Sequence, residues 1–273
     1  MLLGIDIGGT TINLGLVAGS KLVKKQSVLS FAPQASLEET LDYLFDRISG
    51  IITPEVTAIG VGVPTVVDVE KGIVYDATNI PSWKVVPLKD RLEERFGVKV
   101  SVNNDSNCFA LGASAVLGNP SPLLVGITLG TGTGMGILAD GKLLCGCNCG
   151  AGEVGMIPYR GRVFESFCSK QFFTERGWEP KDAGDAAAKG DAAALALYEE
   201  FGTHLGELLT VVMYAYDPGC IVLGGGVSYG APFFKGTMMR TLGERFEFSH
   251  SLERLRVSFL PDGDIPIIGA SLL

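Results

Sequence analysis

The sequence predicts an α/β protein of two similar halves, each holding a mixed sheet, with a cleft between the halves. The first observation is a hairpin signal, GIDIGGTTI at residues 4–12, where an apolar run breaks at glycine and threonine and then resumes. The second is its recurrence about 120 residues later, as GITLGTGTGMGI at residues 126–137. The third is that each hairpin is followed by alternating strand-like and helix-like segments, so one plan is used twice.

A chain of 273 residues is long for one small domain, and the repeat divides it into 1–118 and 119–264, with residues 265–273 returning to the first half. Hydrophobic residues make up 47% and charged residues 19%, a globular rather than a disordered composition. The formal charge of -8, with no dense basic patch, opposes binding to nucleic acid or anionic lipid. No run of about 18 apolar residues suits a membrane span, and Met1 leads directly into strand-like residues, so the expected location is the cytoplasm. Six cysteines in such a chain are expected as thiols in a reducing compartment.

In the first half, two strands joined by the glycine turn lead through a tight turn at Gly19 and Ser20 into a third strand ending near Val28. A helix follows over 36–49, because Ser36 and Glu39 make a capping box. A strand over 56–63, a helix over 87–96, a strand over 98–102 and a helix over 105–117 complete the half, before the break at Asn119, Pro120, Ser121 and Pro122. In the second half, strands over 123–129 and 134–138 precede a turn at Asp140 and Gly141. The longest helix starts near Asp191 and carries a core stripe of Leu195, Tyr198, Phe201, Leu205, Leu208, Leu209, Val212 and Tyr216, at spacings of three and four. It stops at Asp217 and Pro218; a strand over 220–223 then runs into Gly224, Gly225 and Gly226, and residues 266–273 form a short closing helix.

The 37 glycines exceed the usual share of about 7%, and their clustering implies ligand loops. Glycine tolerates positive φ and close backbone approach, while threonine hydroxyls and bare amides can donate to phosphate oxygens, so the two hairpins read as a phosphate clamp. Asp105 follows a strand at a helix start, where it can cap the helix or serve as a general base that takes the proton of an attacking hydroxyl. Asp6 lies on the strand face opposite Ile5 and Ile7 beside the first glycine turn; it either accepts amides of the hairpin or holds magnesium between itself and phosphate. Gly224, Gly225 and Gly226 suit either a tight strand-to-helix connection or a nucleoside seat.

Eight motifs in order resemble the ROK family of sugar kinases and sugar-responsive repressors, within the actin, sugar kinase and Hsp70 superfamily. They are DIGGTT at 6–11, VGVPTVVD at 61–68, NIPSW at 79–83, NNDSN at 103–107, LGTGTGMG at 129–136, AGEVG at 151–155, LGGGVS at 223–228 and IIGASLL at 267–273. The resemblance implies two ribonuclease H-like, actin-like ATPase domains. It further implies an ATP- and magnesium-dependent kinase of the glucokinase type that phosphorylates a hexose hydroxyl, closes on its sugar and is a homodimer. Asp105 then matches the catalytic base. Gly8, Gly9, Thr10 and Thr11 match the first phosphate loop, Gly130, Thr131, Gly132 and Thr133 the second, and Gly224, Gly225 and Gly226 the adenosine loop. Asn79, Asn104, Asp105, Glu153 and Glu165 match sugar-binding positions. Taken alone, Asn79 also reads as a turn residue and Glu165 as a helix-start charge.

The chain departs from the family pattern in one region. Met156 stands where most members have a histidine, and the following loop is shortened to IPYRGRVF, without the cysteines of the family zinc site, so zinc is expected to be absent. Cys145, Cys147 and Cys149 lie before the GE motif at spacings that favour small-residue packing over a metal. His204 and His250 have no evident partner in the sequence. The alternative of another class is a sugar-sensing regulator without catalysis, and a further alternative is a kinase for an N-acetylated or other sugar.

Overall fold

The structure, a computed structural model, describes residues 1–77 and 79–273. The chain forms two compact units. One comprises Met1–Asn119, Leu143–Ala151 and Gly263–Leu273; the other comprises Pro120–Lys142 and Gly152–Asp262.

The first unit contains β1 (Leu2–Ile7), β2 (Thr11–Ala18), β3 (Lys21–Leu29), α1 (Leu37–Ser49), β4 (Ala58–Val63), β5 (Val67–Asp68), β6 (Ile73–Tyr75), β7 (Val85–Pro87), α2 (Leu88–Phe96), β8 (Lys99–Asn104) and α3 (Asp105–Val116). Its main sheet has the order β3-β2-β1-β4-β8, with β1 and β2 antiparallel and β1, β4 and β8 parallel. The capping box of α1 forms as expected: Ser36 accepts the Glu39 amide, and Glu39 accepts the Ser36 amide at 2.8 Å. Leu41, Leu44 and Ile48 then face the core with Leu3, Ile5 and Ile7 of β1, all without solvent exposure.

The second unit contains β9 (Leu123–Leu129), β10 (Thr133–Ala139), β11 (Lys142–Leu143), β12 (Pro158–Tyr159), β13 (Arg162–Val163), α4 (Glu165–Cys168), α5 (Lys170–Thr174), α6 (Pro180–Ala188), α7 (Ala192–Tyr216), β14 (Cys220–Gly224), α8 (Ala231–Arg245), α9 (Ser249–Arg254) and β15 (Arg256–Leu260). Its sheet order is β11-β10-β9-β14-β15, which repeats the plan of the first sheet strand for strand, including the antiparallel β9/β10 hairpin and the parallel β9, β14 and β15. The long helix α7 starts at Asp191, whose side chain accepts the Ala194 amide, and stops where Asp217 turns left-handed at φ 45°. Leu205, Leu208, Leu209 and Val212 are fully buried along it, as the stripe predicted.

The closing helix α10 (Asp264–Ser271) packs on the first unit and shows what many glycines do. Gly15, Gly4 and Gly60 sit in register across β2, β1 and β4. A Cβ at Gly4 or Gly60 would overlap the carbonyl of Ile267 or Ala270, and one at Gly112 or Gly269 would overlap backbone at the α3/α10 contact. Gly202 and Gly206 open α7 to α8 in the same way. Glycine enrichment therefore reflects close packing of helices on backbone as well as the turns expected from sequence.

Candidate functional site

In the first unit, β1 and β2 meet at a turn closed by the Gly8 amide donating to the Thr11 carbonyl at 2.9 Å. Ser30 ties the turn down: its hydroxyl donates to the Gly8 carbonyl at 2.8 Å and its amide to the Thr10 carbonyl at 2.9 Å. Gly9, Thr10 and Thr11 are exposed, and Asn79 lies so near that a Cβ on Gly9 would stand 2.9 Å from its amide group. Neither Gly8 nor Gly9 uses positive φ, so the glycines here serve approach and openness rather than left-handed backbone.

Asp6 and Asp105 converge on the end of this sheet. Asp6 pairs in register with Gly62 of β4, and a Cβ at Gly62 would lie 3.5 Å from the Asp105 Cα and 3.1 Å from the Cys108 Sγ. The bare glycine thus lets the start of α3 approach β4, which brings Asp105 toward β1. The Cys108 thiol is pushed up first by burial and then by the charges of Asp6 and Asp105, which places that thiol near both carboxylates. Asp6 accepts from Asn13 Nδ2 at 3.3 Å. Burial pushes its carboxyl up to about 6, against the lowering effects of that hydrogen bond and of Lys25. A carboxylate so poorly compensated by protein donors fits a cation ligand, the role expected with magnesium.

Asp105 opens α3 while Asn104 caps it: Asn104 Oδ1 accepts the Ser106 amide at 2.9 Å and the Asn107 amide at 3.4 Å, and its Nδ2 donates to the Thr65 carbonyl at 3.3 Å. The capping duty considered for Asp105 falls mainly on Asn104, although Asp105 Oδ1 also accepts its neighbour's amide, from Ser106, at 2.7 Å. Asn103 completes the frame, its Oδ1 accepting the Asn104 amide at 2.8 Å and Asn107 Nδ2 at 2.9 Å.

In the second unit, Gly130 to Thr133 form the corresponding turn, closed by the Gly130 amide donating to the Gly132 carbonyl at 2.9 Å. Gly130 and Gly226 face open space, and Thr131 is exposed. Gly225, at φ 83°, lies against the backbone of Leu129, so the triple glycine and the 130–133 turn adjoin. Glu165 is also here, since its Oε2 accepts the Thr133 amide at 2.9 Å and fills the space beside Gly132. The Thr133 hydroxyl donates to the Cys168 carbonyl at 3.0 Å, so both polar groups of this threonine are engaged. Burial and, next, the Glu165 charge raise the Glu153 carboxyl, which sets these two acids close together.

Met156 projects with 56% exposure. The shortened loop after it is the β12/β13 hairpin, turned by Arg160 and Gly161 in left-handed backbone. His204 differs from the sequence expectation. The Tyr159 hydroxyl hydrogen-bonds its Nδ1 at 3.0 Å, Glu200 lies 3.6 Å from its Nε2, and Phe167 and Phe172 flank the ring. Tyr159, Phe167 and Phe172 come from other segments and could not be read locally, whereas Glu200 lies one helical turn before His204 on α7. Asn13, Ser30, Gly62 and Thr65 were likewise missed, because their roles arise from contacts with residues elsewhere in the chain.

A doubled mixed sheet with glycine turns at strand ends defines the class: the actin-like fold of two related domains. The chain belongs to the ROK family, whose model matches residues 2–259. It is similar to the glucokinase of Halalkalibacterium halodurans, at 32% identity over 92% of this chain and 86% of the relative. It is similar also to the N-acetyl-D-glucosamine kinase of Vibrio parahaemolyticus, at 32% identity over 84% of this chain and 85% of the relative. Among solved structures, a ROK family glucokinase from Streptomyces griseus in complex with glucose and AMPPNP superposes with a TM-score of 0.83 at 27% identity, covering 99% of this chain and 97% of that one. These relatives support a sugar kinase at family level.

Proposed function

We propose that this protein transfers the γ-phosphoryl group of ATP to a primary hydroxyl of a hexose, with Asp105 as general base. The observation that carries the reading is the convergence of Asp105 and Asp6 at Gly62, beside an exposed glycine and threonine turn. Phosphoryl transfer needs a carboxylate to receive the hydroxyl proton, a means of neutralising phosphate charge, and little further covalent chemistry from the protein. Asp105 takes the proton as the sugar oxygen attacks phosphorus. Asn104, fixed by its contact to Thr65, holds the start of α3 so that this carboxylate keeps its direction.

Gly9, Thr10 and Thr11 offer amides and exposed hydroxyls to phosphate oxygens, as do Thr131 and Gly132, while the amides of Gly8 and Gly130 close the two turns that present them; Thr133 supports its turn through Glu165 and Cys168. Gly224, Gly225 and Gly226 leave room for the nucleoside. Magnesium, held by Asp6, would supply charge neutralisation at the phosphates. Asn79, Asn104, Glu153 and Glu165 exchange hydrogen bonds with sugar hydroxyls, a task suited to amides and carboxylates. Zinc has no part in this reading.

Glucose is the first acceptor to test, given the glucokinase relatives, and the N-acetylglucosamine kinase relative makes the 2-acetamido sugar the second. ADP release coupled to an indicator enzyme, over glucose, mannose, fructose, allose, N-acetylglucosamine and N-acetylmannosamine, should show turnover on at least one. Sugar binding without ADP release across the panel would overturn the kinase reading and leave a sugar-sensing regulator. Asp105→Asn should fold and bind sugar, with turnover lowered about 100- to 10,000-fold.

A further inference from the structure

We propose that Cys145 and Cys149 form a reversible redox site, closed to a disulfide by hydroperoxides, and that Asn103 and Asn107 transmit its state to the start of α3. Both sulfurs rest on the same two side chains. Asn107 Nδ2 donates to Cys145 Sγ at 3.7 Å and to Cys149 Sγ at 3.8 Å. The two thiols also approach Asn103 Oδ1, Cys149 at 3.5 Å and Cys145 at 4.0 Å, while Asn103 Nδ2 donates to Cys145 at 3.7 Å. Two sulfurs sharing both partners are neighbours, and a hydrogen bond from Cys149, followed by that from Asn103, holds the Cys145 thiol below its ordinary value while the Cys149 thiol is raised in turn.

The backbone is shaped for this meeting. Gly146 at φ 74° and Cys149 at φ 55° are both left-handed, and the Ala151 amide closes the segment on the Cys145 carbonyl at 3.1 Å. A non-glycine residue in that region is held there at a cost, which marks a position imposed by its surroundings. The pair borders a cavity of about 590 Å³ lined also by Val67, Asp68 and Tyr75, large enough to admit a peroxide. Selectivity over the other buried thiols follows from their surroundings, and the exposed Cys147 is set apart by the Cys147→Ser variant in the test below. Burial pushes the thiols of Cys108, Cys168 and Cys220 up, which keeps them protonated and inert.

The chemistry balances with a hydroperoxide as oxidant. The Cys145 thiolate attacks one peroxide oxygen, the O–O bond breaks, and the departing oxygen takes a proton, leaving a sulfenic acid. The Cys149 sulfur then attacks the Cys145 sulfur, and its proton leaves with the displaced oxygen as water. Two thiols and one hydrogen peroxide thus give one disulfide and two waters.

Oxidation removes the thiol protons that face Asn103 Oδ1 and draws the sulfurs together across Asn107. Asn107 is 1% exposed and its Oδ1 has no hydrogen-bond partner, so this buried frame already has an acceptor to reassign. Asn103 holds the Asn104 amide, and Asn104 caps the helix that Asp105 opens. Rearranging the asparagines therefore displaces Asp105.

The test is peptide mapping of the whole protein after titration with hydrogen peroxide and alkylation of remaining thiols. The expected result is one intrachain link joining residues 145 and 149, reversed by dithiothreitol and still formed in Cys147→Ser. In Cys149→Ser, Cys145 should be trapped by dimedone as the sulfenic acid. A link to Cys147, free alkylation of both sulfurs after peroxide, or stoichiometric metal on these thiols at purification would overturn the site. Transmission to Asp105 rests on the proposed kinase reading: oxidation should lower sugar-dependent ADP release about 10- to 100-fold, reversibly, in the wild type but not in Cys149→Ser. A formed link with unchanged turnover overturns the transmission. A formed link in a protein that transfers phosphate to no sugar leaves the redox site standing and sinks the kinase reading.

Discussion

At the scale of single residues, Asp6 offers a measurable signature. Its carboxyl is raised to about 6 by burial, above the ordinary value of 3.8, so between these pH values the folded protein binds more protons than the unfolded chain. Its contribution to stability therefore falls as pH rises through that window and levels off above it. From pH 4 to pH 7 Asp6 contributes a falling component to the denaturation midpoint, opposed by lowered carboxyls such as that of Glu175, and Asp6→Asn should remove the falling component. An unchanged slope in the variant would assign the pH dependence elsewhere. Asp105 was legible as a candidate from its motif, yet its separation from capping duty was not. That division depends on where Asn104 points, and Asn104 is oriented by a carbonyl 39 positions away in the chain.

Among the elements, glycine divides into two kinds that substitution can tell apart. Gly60 of β4 faces the Ala270 carbonyl, and a methyl group there must overlap it. Gly60→Ala should lose at least about 3 kcal/mol, the upper end of ordinary overpacking, because the obstacle is backbone that cannot rotate away. Gly236 lies on the exposed side of α8 with no atom near its Cβ direction. Gly236→Ala should instead gain about 0.5 to 1 kcal/mol from helix propensity. Urea denaturation of both variants checks the pair, and equal signs would refute the packing account. The helices themselves were readable, since α1 and α7 announce their starts by Ser36 with Glu39 and by Asp191, and α7 its end by Pro218. The packing glycines were not, because a glycine inside a strand carries no local sign of what crosses it.

For the whole molecule, the first unit is discontinuous in sequence: Leu143–Ala151 and Gly263–Leu273 complete it. Removing residues 263–273 uncovers the Gly15, Gly4 and Gly60 stripe and takes Ile265, Ile267 and Ala270 from the core. Hydrogen exchange should then show protection lost across β1, β4 and β8 while α7 and α8 keep theirs. Uniform loss in both units would contradict the division. Among the described residues no helix is long and apolar enough to cross a membrane. The family match over residues 2–259 and the repeated sheet order agree with the twofold plan inferred from the hairpins.

The sequence by itself determined the local structure and the family: alternation of period two, the 3.6-residue stripe of α7, the capping signals and the ordered motifs each act within a few residues and are written in chain order. Only the tertiary structure decided which residues meet. Asp6, Gly62 and Asp105 converge because parallel strands bring distant segments into register. Glu165 reaches the Thr133 amide, and Cys145 and Cys149 settle on Asn103 and Asn107, through contacts no periodicity encodes. Such contacts are selected by the burial of whole faces at once, so they belong to the folded chain and to no segment of it.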